Sequence, residues 1–224
     1  AMVGVLAEVW READGESLIH ASLASASLPP LGACLDDDAL AHRVAAPEDA
    51  QTRERVQDLR VRLHRVAALR LASHLEEAAA QSEPLLGEAE AIAWPPLIAE
   101  ARLDLGRLQV QTGDYTTAQA TLEAAFLDAV GAGHDLVELE AAIASAEIAG
   151  YFLGDRERGL FWAELGERIL GRLGLEGSKY EAALRTTLGH IHWMDGNYEG
   201  ARTAYEHARA INEILLGPEH PDVA

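Results

Sequence analysis

Apolar and small residues recur at helical spacing along this chain, and the clearest stretch runs from Leu188 to Ala208. Gly196 lies where one helix must stop, in a position that often requires a positive φ, and Asn197 is a suitable N-cap for the next helix. One face of that second helix carries Tyr198, Ala201, Tyr205 and Ala208. Because this face alternates large and small residues, the stretch predicts two helices packed closely as a hairpin.

The same pattern occurs earlier in the chain, which indicates an internal repeat. A second good copy consists of Leu105, Gly106, Gly113, Tyr115, Ala118, Leu122 and Ala125. Weaker copies have Gly154 and Ser73 at their turns, followed by Gly159 and Ala78 at the small position. Counted from a common position, the copies start at Leu59, Ala99, Glu140 and Ala182.

This skeleton resembles the tetratricopeptide repeat, which is usually about 34 residues long. The spacing here is longer, and in this respect the chain is similar to the repeats of kinesin light chains. The closing segment Leu216-Gly217-Pro218-Glu219-His220-Pro221-Asp222-Val223-Ala224 strengthens that likeness. The resemblance implies an all-α fold, a right-handed α-solenoid of antiparallel helix pairs.

The predicted organisation has two parts. Residues 1–50 are expected to form an N-terminal helical capping segment, and residues 51–224 a solenoid of about four helix pairs. The repeats are placed near 59–92, 99–132, 140–173 and 182–215. Since a terminal repeat lacks a covering neighbour, we expect an exposed apolar face at the C-terminal end and self-association through it.

Composition narrows the classes of partner. The net charge is −19, which argues against binding to nucleic acid or to an anionic membrane and favours a basic or neutral protein partner. No apolar run is long enough to cross a bilayer, so we expect no direct membrane contact and a cytoplasmic location. The single cysteine, Cys34, allows no internal disulfide.

One stretch of the chain is locally basic. Between Pro47 and Leu71, the predicted helix carries Arg53, Arg55, Arg60, Arg62 and Arg65 around an apolar stripe. Two interpretations are open: a solvated helix face, or a site for an acidic segment of a longer protein.

The resemblance also predicts a binding surface. In related repeats, certain positions of the first helices line the inner curve of the solenoid, where extended peptides or helices bind. At these positions we expect partner contacts from Arg107, Gln111, Tyr151, Phe152, Thr186, His190, Trp193 and Met194. Exposed Trp, Tyr and Arg commonly anchor interfaces, although Phe152, Trp193 and Met194 would also suit packing between helices.

No set of residues in the sequence predicts a reaction. His190 and His192 lie two positions apart on a helix and point in different directions, so they do not share a metal ion. The run from Gly171 to Lys179 lacks the ending of a phosphate-binding loop, and no nucleophile elbow, zinc-binding helix or protein-kinase motif occurs. We therefore expect a non-enzymatic chain without cofactor or metal.

A second resemblance concerns the order of segments along the chain. The stretch Ser27-Leu28-Pro29-Pro30-Leu31 with Cys34, the Arg-rich helix and the long repeats together resemble the region C-terminal to the kinase domain in myxobacterial multidomain serine/threonine kinases. That resemblance implies a sensory or recruitment region. The alternative is the effector-sensing repeat region of a bacterial transcription regulator.

Overall fold

The computed structural model describes residues 44–218 together with His220 and Val223. Within this part of the chain, eight α-helices follow one another and no strand occurs. The helices are α1 Ala50–Leu71, α2 Leu75–Ile92, α3 Pro95–Gln111, α4 Tyr115–Ala132, α5 Asp135–Glu147, α6 Arg156–Leu173, α7 Lys179–Met194 and α8 Tyr198–Leu216. The helix α5 continues directly into a π-helical turn, Ile148–Phe152. The predicted all-α fold is therefore confirmed.

The helices pack in the order in which they occur. Each contacts the next one along the chain, and the first helices of neighbouring pairs, α1 with α3, α3 with α5 and α5 with α7, also touch. This is the arrangement of an α-solenoid built from helix pairs. The division into residues 1–50 and 51–224 stays a prediction, and nearly all of the expected N-terminal capping segment, with Cys34, lies outside the described residues.

The turns within the pairs lie at the predicted positions. The residues with positive φ are Ser73 at 64°, Gly113 at 83°, Gly154 at 70° and Gly196 at 73°. After each glycine, a polar N-cap accepts a hydrogen bond from the backbone of the second helix: Asp114 from Thr117 N, Asp155 from Arg158 N and Asn197 from Gly200 N. Glycine adopts this conformation without strain, so it ends the first helix. The cap satisfies a free N–H group, so it begins the second helix.

Small residues allow the two helices of a pair to approach closely. In the third pair, a Cβ added at Gly159 would lie 2.6 Å from the Gly150 Cα and 2.8 Å from the Gly150 N. Backbone therefore meets backbone at this contact. In the second pair, Gly106 faces the fully buried Leu122. Such contacts bring the apolar faces together into a core that extends along the stack.

The contact between Gly159 and Gly150 predicts a large effect of a single methyl group. Gly159→Ala is expected to destabilise the fold by about 3 kcal/mol, because the added Cβ clashes with backbone that has no room to move. The matched control is Gly87→Ala, where a Cβ meets nothing within 4 Å. It should stabilise α2 by about 0.5–1 kcal/mol. Urea unfolding followed by circular dichroism measures both, and equal effects of the two variants would contradict this account.

Candidate functional site

The first helices of all four pairs line one surface, which we call the central groove. Its widest part is a cavity of about 560 Å³. The helix α1 contributes Arg70, α3 contributes Asp104 and Arg107, α5 contributes Glu140, and α7 contributes Tyr180. Four segments distant in sequence thus meet around one space.

Two further cavities continue the central groove toward α8. A cavity of about 410 Å³ shares Arg70, Arg107 and Glu140 with the widest part and adds Gln111 and Glu147. The next, of about 500 Å³, shares Glu147 and extends to residues of α8. The shared residues make the three cavities parts of one groove that runs from α1 to α8.

At the α1 end of the groove, an arginine is held by a carboxylate and an aromatic ring. The Arg60 guanidinium donates to both oxygens of Glu100, at 2.8 and 2.5 Å, and lies 4.9 Å from the centre of the Trp94 ring. His134 Nε2 lies 3.2 Å from the same carboxylate. Burial raises the pKa of Glu100, but the hydrogen bonds from His134 and Arg60 outweigh it, so this pKa lies below its ordinary value. These residues link three helix pairs.

The centre of the groove holds charges that are only partly paired. Arg107 donates to Glu140 at 2.9 Å. Burial raises the pKa of Asp104 to about 6, although Arg107 and Arg70 oppose this rise. The Arg70 Nε is buried and has no hydrogen-bond partner, and burial lowers the pKa of this side chain. Burial, followed by the nearby Glu140, raises the pKa of the Tyr180 hydroxyl.

Lys179 adds a cation at the rim. It is the only lysine of the chain, and it is exposed on all three cavities of the groove. Its ammonium lies 5.1 Å from the centre of the Tyr180 ring and forms no ion pair within residues 44–218. Arg70 and Lys179 are therefore the groove cations that lack a hydrogen-bonded carboxylate in the described part of the chain.

The residues predicted for partner binding separate into two sets. Arg107, Gln111 and Thr186 line the central groove. The other five lie outside its cavities, where α5 and α7 end at their turns: Tyr151, Phe152, His190, Trp193 and Met194. The predicted surface therefore consists of a part in the groove and a part at the turn end of α5 and α7. Partner binding by either set stays a prediction.

Rings at this end form a continuous chain across three helix pairs, which we call the aromatic row. Its neighbouring centroids are 4.6 Å apart for Tyr115 and Phe152, 4.9 Å for Phe152 and Tyr151, 4.8 Å for Tyr151 and His190, and 5.8 Å for His190 and Tyr205. Two members, Tyr151 and Phe152, belong to the π-helical turn, which changes the direction of side chains at the end of α5.

Exposure distinguishes the residues for which packing was the alternative interpretation. Phe152 is half-buried and packs against the core, as that interpretation holds. In contrast, Trp193 is 57% exposed and Met194 is 55% exposed. The Trp193 ring meets another exposed ring at the next turn, Tyr198, at 5.1 Å between centroids. Trp193 and Met194 are therefore available on the surface of the described chain.

Sequence reasoning missed several groove residues: Arg70, Asp104, Glu140, Lys179 and Tyr180. A signal was present for some of them. Asp104 lies three residues before Arg107 and Glu140 lies seven before Glu147, so each shares a helix face with another groove residue. All of these residues except Arg70 were missed because the positions expected to face inward were carried over from related repeats, and none of the four occupies such a position.

The basic cluster of α1 contributes to inter-helix pairing. Arg62 donates to Glu88 of α2 at 2.5 and 2.7 Å, and Arg65 lies 3.9 Å from Glu77 of the same helix. With Arg60 bound to Glu100, three of the five arginines pair with other helices. Arg62 and Arg65 nevertheless remain 44% and 49% exposed, so the solvated-face interpretation stays open, and binding of an acidic segment stays a prediction.

Residues 44–218 show neither a metal cluster nor a membrane span. Their His, Cys, Asp and Glu side chains form no group of three or more arranged to hold a metal ion. None of their helices combines the length and the apolar character that a membrane span requires.

Comparison with known proteins identifies one segment. Residues 182–222, which comprise most of α7, all of α8 and the residues after it, match the family model described as Tetratricopeptide repeat. The last helix pair is similar to a tetratricopeptide repeat. No curated protein and no solved structure matches the chain. The match covers this segment alone, and the all-α stack of the preceding helix pairs is consistent with repeats of the same kind. Tetratricopeptide repeats generally mediate protein–protein interaction.

The raised pKa of Asp104 predicts a measurable pH dependence of the stability of this chain. Its pKa is about 6 in the folded chain, against an ordinary value of 3.8. The folded chain therefore binds this proton more tightly than the unfolded chain, and the wild type loses stability as the pH rises through this window. Asp104→Asn removes that loss.

Urea unfolding at a series of pH values between these two pKa values tests the expectation. The free energy of unfolding of the wild type, minus that of Asp104→Asn, should fall as the pH rises. A difference that stays constant would show that burial in the groove does not raise the pKa of this carboxyl.

Proposed function

We propose that this chain is a non-catalytic scaffold whose central groove binds an extended segment of a partner protein. One observation carries the proposal: the first helices of four consecutive pairs line a single groove, in which Arg70 and Lys179 have no hydrogen-bonded carboxylate within the described residues. Polar groups that the chain leaves unsatisfied are available to a ligand. Tetratricopeptide repeats generally bind proteins, which supports the same class of partner.

The dimensions of the groove favour an extended segment over a small molecule. Its three cavities, of about 560, 410 and 500 Å³, are open and joined end to end, and residues from five helices line them. A ligand that follows the groove contacts each helix pair in turn, as extended peptides do on other solenoids. A compact ligand in one cavity would leave most of the surface unused.

Only the sequence resemblance indicates what kind of protein this scaffold belongs to. On that basis we propose the sensory or recruitment region of a bacterial serine/threonine kinase in the cytoplasm, with the effector-sensing region of a transcription regulator as the alternative. The sequences that flank this chain in its gene product separate the two, because a kinase domain and a DNA-binding domain carry different motifs.

Self-association through the C-terminal end remains a further proposal. At the end of α8, Ile214 is 85% exposed and Leu215 is 46% exposed. Between its ends the exposed surface of this helix carries ion pairs, of Arg202 with Glu206 and of Arg209 with Glu213. The apolar surface that α8 offers to a second copy at the C-terminal end is therefore its last turn.

A steric block tests binding in the groove. Ala183 is exposed between two of its cavities, so Ala183→Trp fills the groove without removing an existing contact. Peptides selected from a displayed library of short random sequences on the wild-type chain serve as probes. We expect their affinity for Ala183→Trp to fall about tenfold or more, because a bulky side chain clashes with the bound segment.

The matched control is Ala79→Trp, which adds the same side chain on the exposed surface of α2, away from the groove. It should bind the selected peptides as the wild type does. Fluorescence anisotropy gives the dissociation constants, and circular dichroism checks the fold. Unchanged binding by a folded Ala183→Trp, or a failure of the wild type to select any peptide, would contradict the proposed function.

A further inference from the structure

The carboxylate of Glu147 lies in the groove without a cationic partner of the usual kind. It lines two of the cavities, and its side chain is 37% exposed. Among residues 44–218, no arginine or lysine comes within ion-pair distance of it. Its nearest ionisable neighbour is His190, whose Nδ1 lies 3.6 Å from the Glu147 Oε1. That separation is too long for a hydrogen bond.

The surroundings of His190 show that its ring does not hydrogen-bond to the Glu147 carboxylate. Its Nδ1 is buried and has no hydrogen-bond partner within the described chain, so the imidazole is not oriented toward Glu147 by a bond. The ring instead stacks on Tyr151 at 4.8 Å and meets Tyr205 at 5.8 Å. The aromatic row holds the imidazole and leaves the oxygens of Glu147 to a ligand.

Two exposed aromatic residues lie on the helix turns next to this carboxylate. Tyr151 follows Glu147 by four residues at the end of α5, and it is 36% exposed. On α7, Trp193 follows His190 by three residues, which places both on one helix face. A carboxylate beside exposed tyrosine and tryptophan rings suits a cation, because ring faces attract positive charge and the carboxylate pairs with it.

We propose that Glu147, at the edge of the groove, and the neighbouring Tyr151, His190 and Trp193, at the turn end of α5 and α7, together bind an arginine or lysine side chain of the partner segment. This inference rests on the proposed function and names the chemistry of the partner at one position. Arginine suits the site best, because its planar guanidinium stacks on aromatic rings and donates to a carboxylate in a bidentate manner.

The charge distribution of the chain indicates that this cation comes from a partner. Its net charge is −19, and many of its arginines already pair with its own carboxylates, as Arg107 does with Glu140 and Arg185 with Glu167. A basic segment would also be attracted from a distance. An acidic side chain at the same position would be repelled by Glu147.

Coupling between one side chain of the scaffold and one of the peptide tests the proposal. Peptides selected on the wild-type chain should share a basic residue at a fixed position. We then measure dissociation constants for a selected peptide and its arginine→citrulline form, which has nearly the same shape without the charge, on the wild type and on Glu147→Gln. On the wild type, loss of the charge should weaken binding about three- to tenfold.

On Glu147→Gln, the same change of peptide should have little further effect, since the partner of the charge is already gone. Trp193→Ala, at a residue that supports no core contact, should weaken the arginine peptide more than the citrulline peptide. The matched control is Glu83→Gln, which removes an equal charge from an exposed position of α2 and should leave both affinities unchanged.

The outcomes separate this inference from the proposed function. Selected peptides that lack a basic position, or that carry an acidic residue there, would overturn the arginine subsite, as would equal losses on the wild type and Glu147→Gln. If Ala183→Trp abolishes binding in the same experiments, the groove itself remains the binding surface. If Ala183→Trp binds normally, the proposed function has failed, whatever residue the peptides share.

Discussion

Close approach of paired helices is the constraint on which this structure depends. Backbone meets backbone where Gly159 faces Gly150, and small residues fully buried in the core, such as Ala118 and Ala125, serve the same purpose in the second pair. Side chains of ordinary size would hold the helices apart and open voids between the apolar faces. Because every pair must keep this distance to stack on its neighbour, the positions of small residues also determine how the first helices align along the groove.

This alignment has an electrostatic consequence. Once the first helices lie side by side, polar residues on their shared face are brought together, and each loses part of its water. Some find partners across the gap, as Arg60 does in Glu100, where the hydrogen bonds to the carboxylate outweigh the effect of burial on its pKa. Other groove residues are not fully paired. The Arg70 Nε has no hydrogen-bond partner, and burial raises the pKa of the Asp104 carboxyl to about 6. Folding thus leaves polar groups in the groove that binding could satisfy.

The features that were well predicted from sequence are those that depend on local chemistry. Gly113 and Gly196 mark turns because few residues other than glycine tolerate their backbone conformation, and Asn197 marks a helix start because its side chain caps free N–H groups. The partner of Arg60 was not predictable in this way, since Glu100 is distant in sequence and the pairing requires the relative rotation of two helices. The π-helical turn at Ile148–Phe152 likewise has no local signal in the repeat pattern, and it changes where two predicted aromatic residues point. Local patterns therefore predict the periodic framework, whereas the groove emerges only from packing.

The π-helical turn also explains why the predicted surface divides in two. An uninterrupted α-helix would continue the face of Glu140 and Glu147 at a regular rotation, whereas a π-helical turn accommodates one additional residue and rotates the residues after it. Here the turn ends at Phe152, which reaches back to Tyr115 of the preceding pair, while Tyr151 stacks on His190 of the following pair. Two adjacent residues thus join three helix pairs near Glu147, a groove carboxylate that has no arginine or lysine partner within the described residues. Rings held by packing near such a carboxylate lose little conformational freedom when a ligand binds, and this preorganisation favours the turn end of the helices as a place where a single side chain of a partner is recognised.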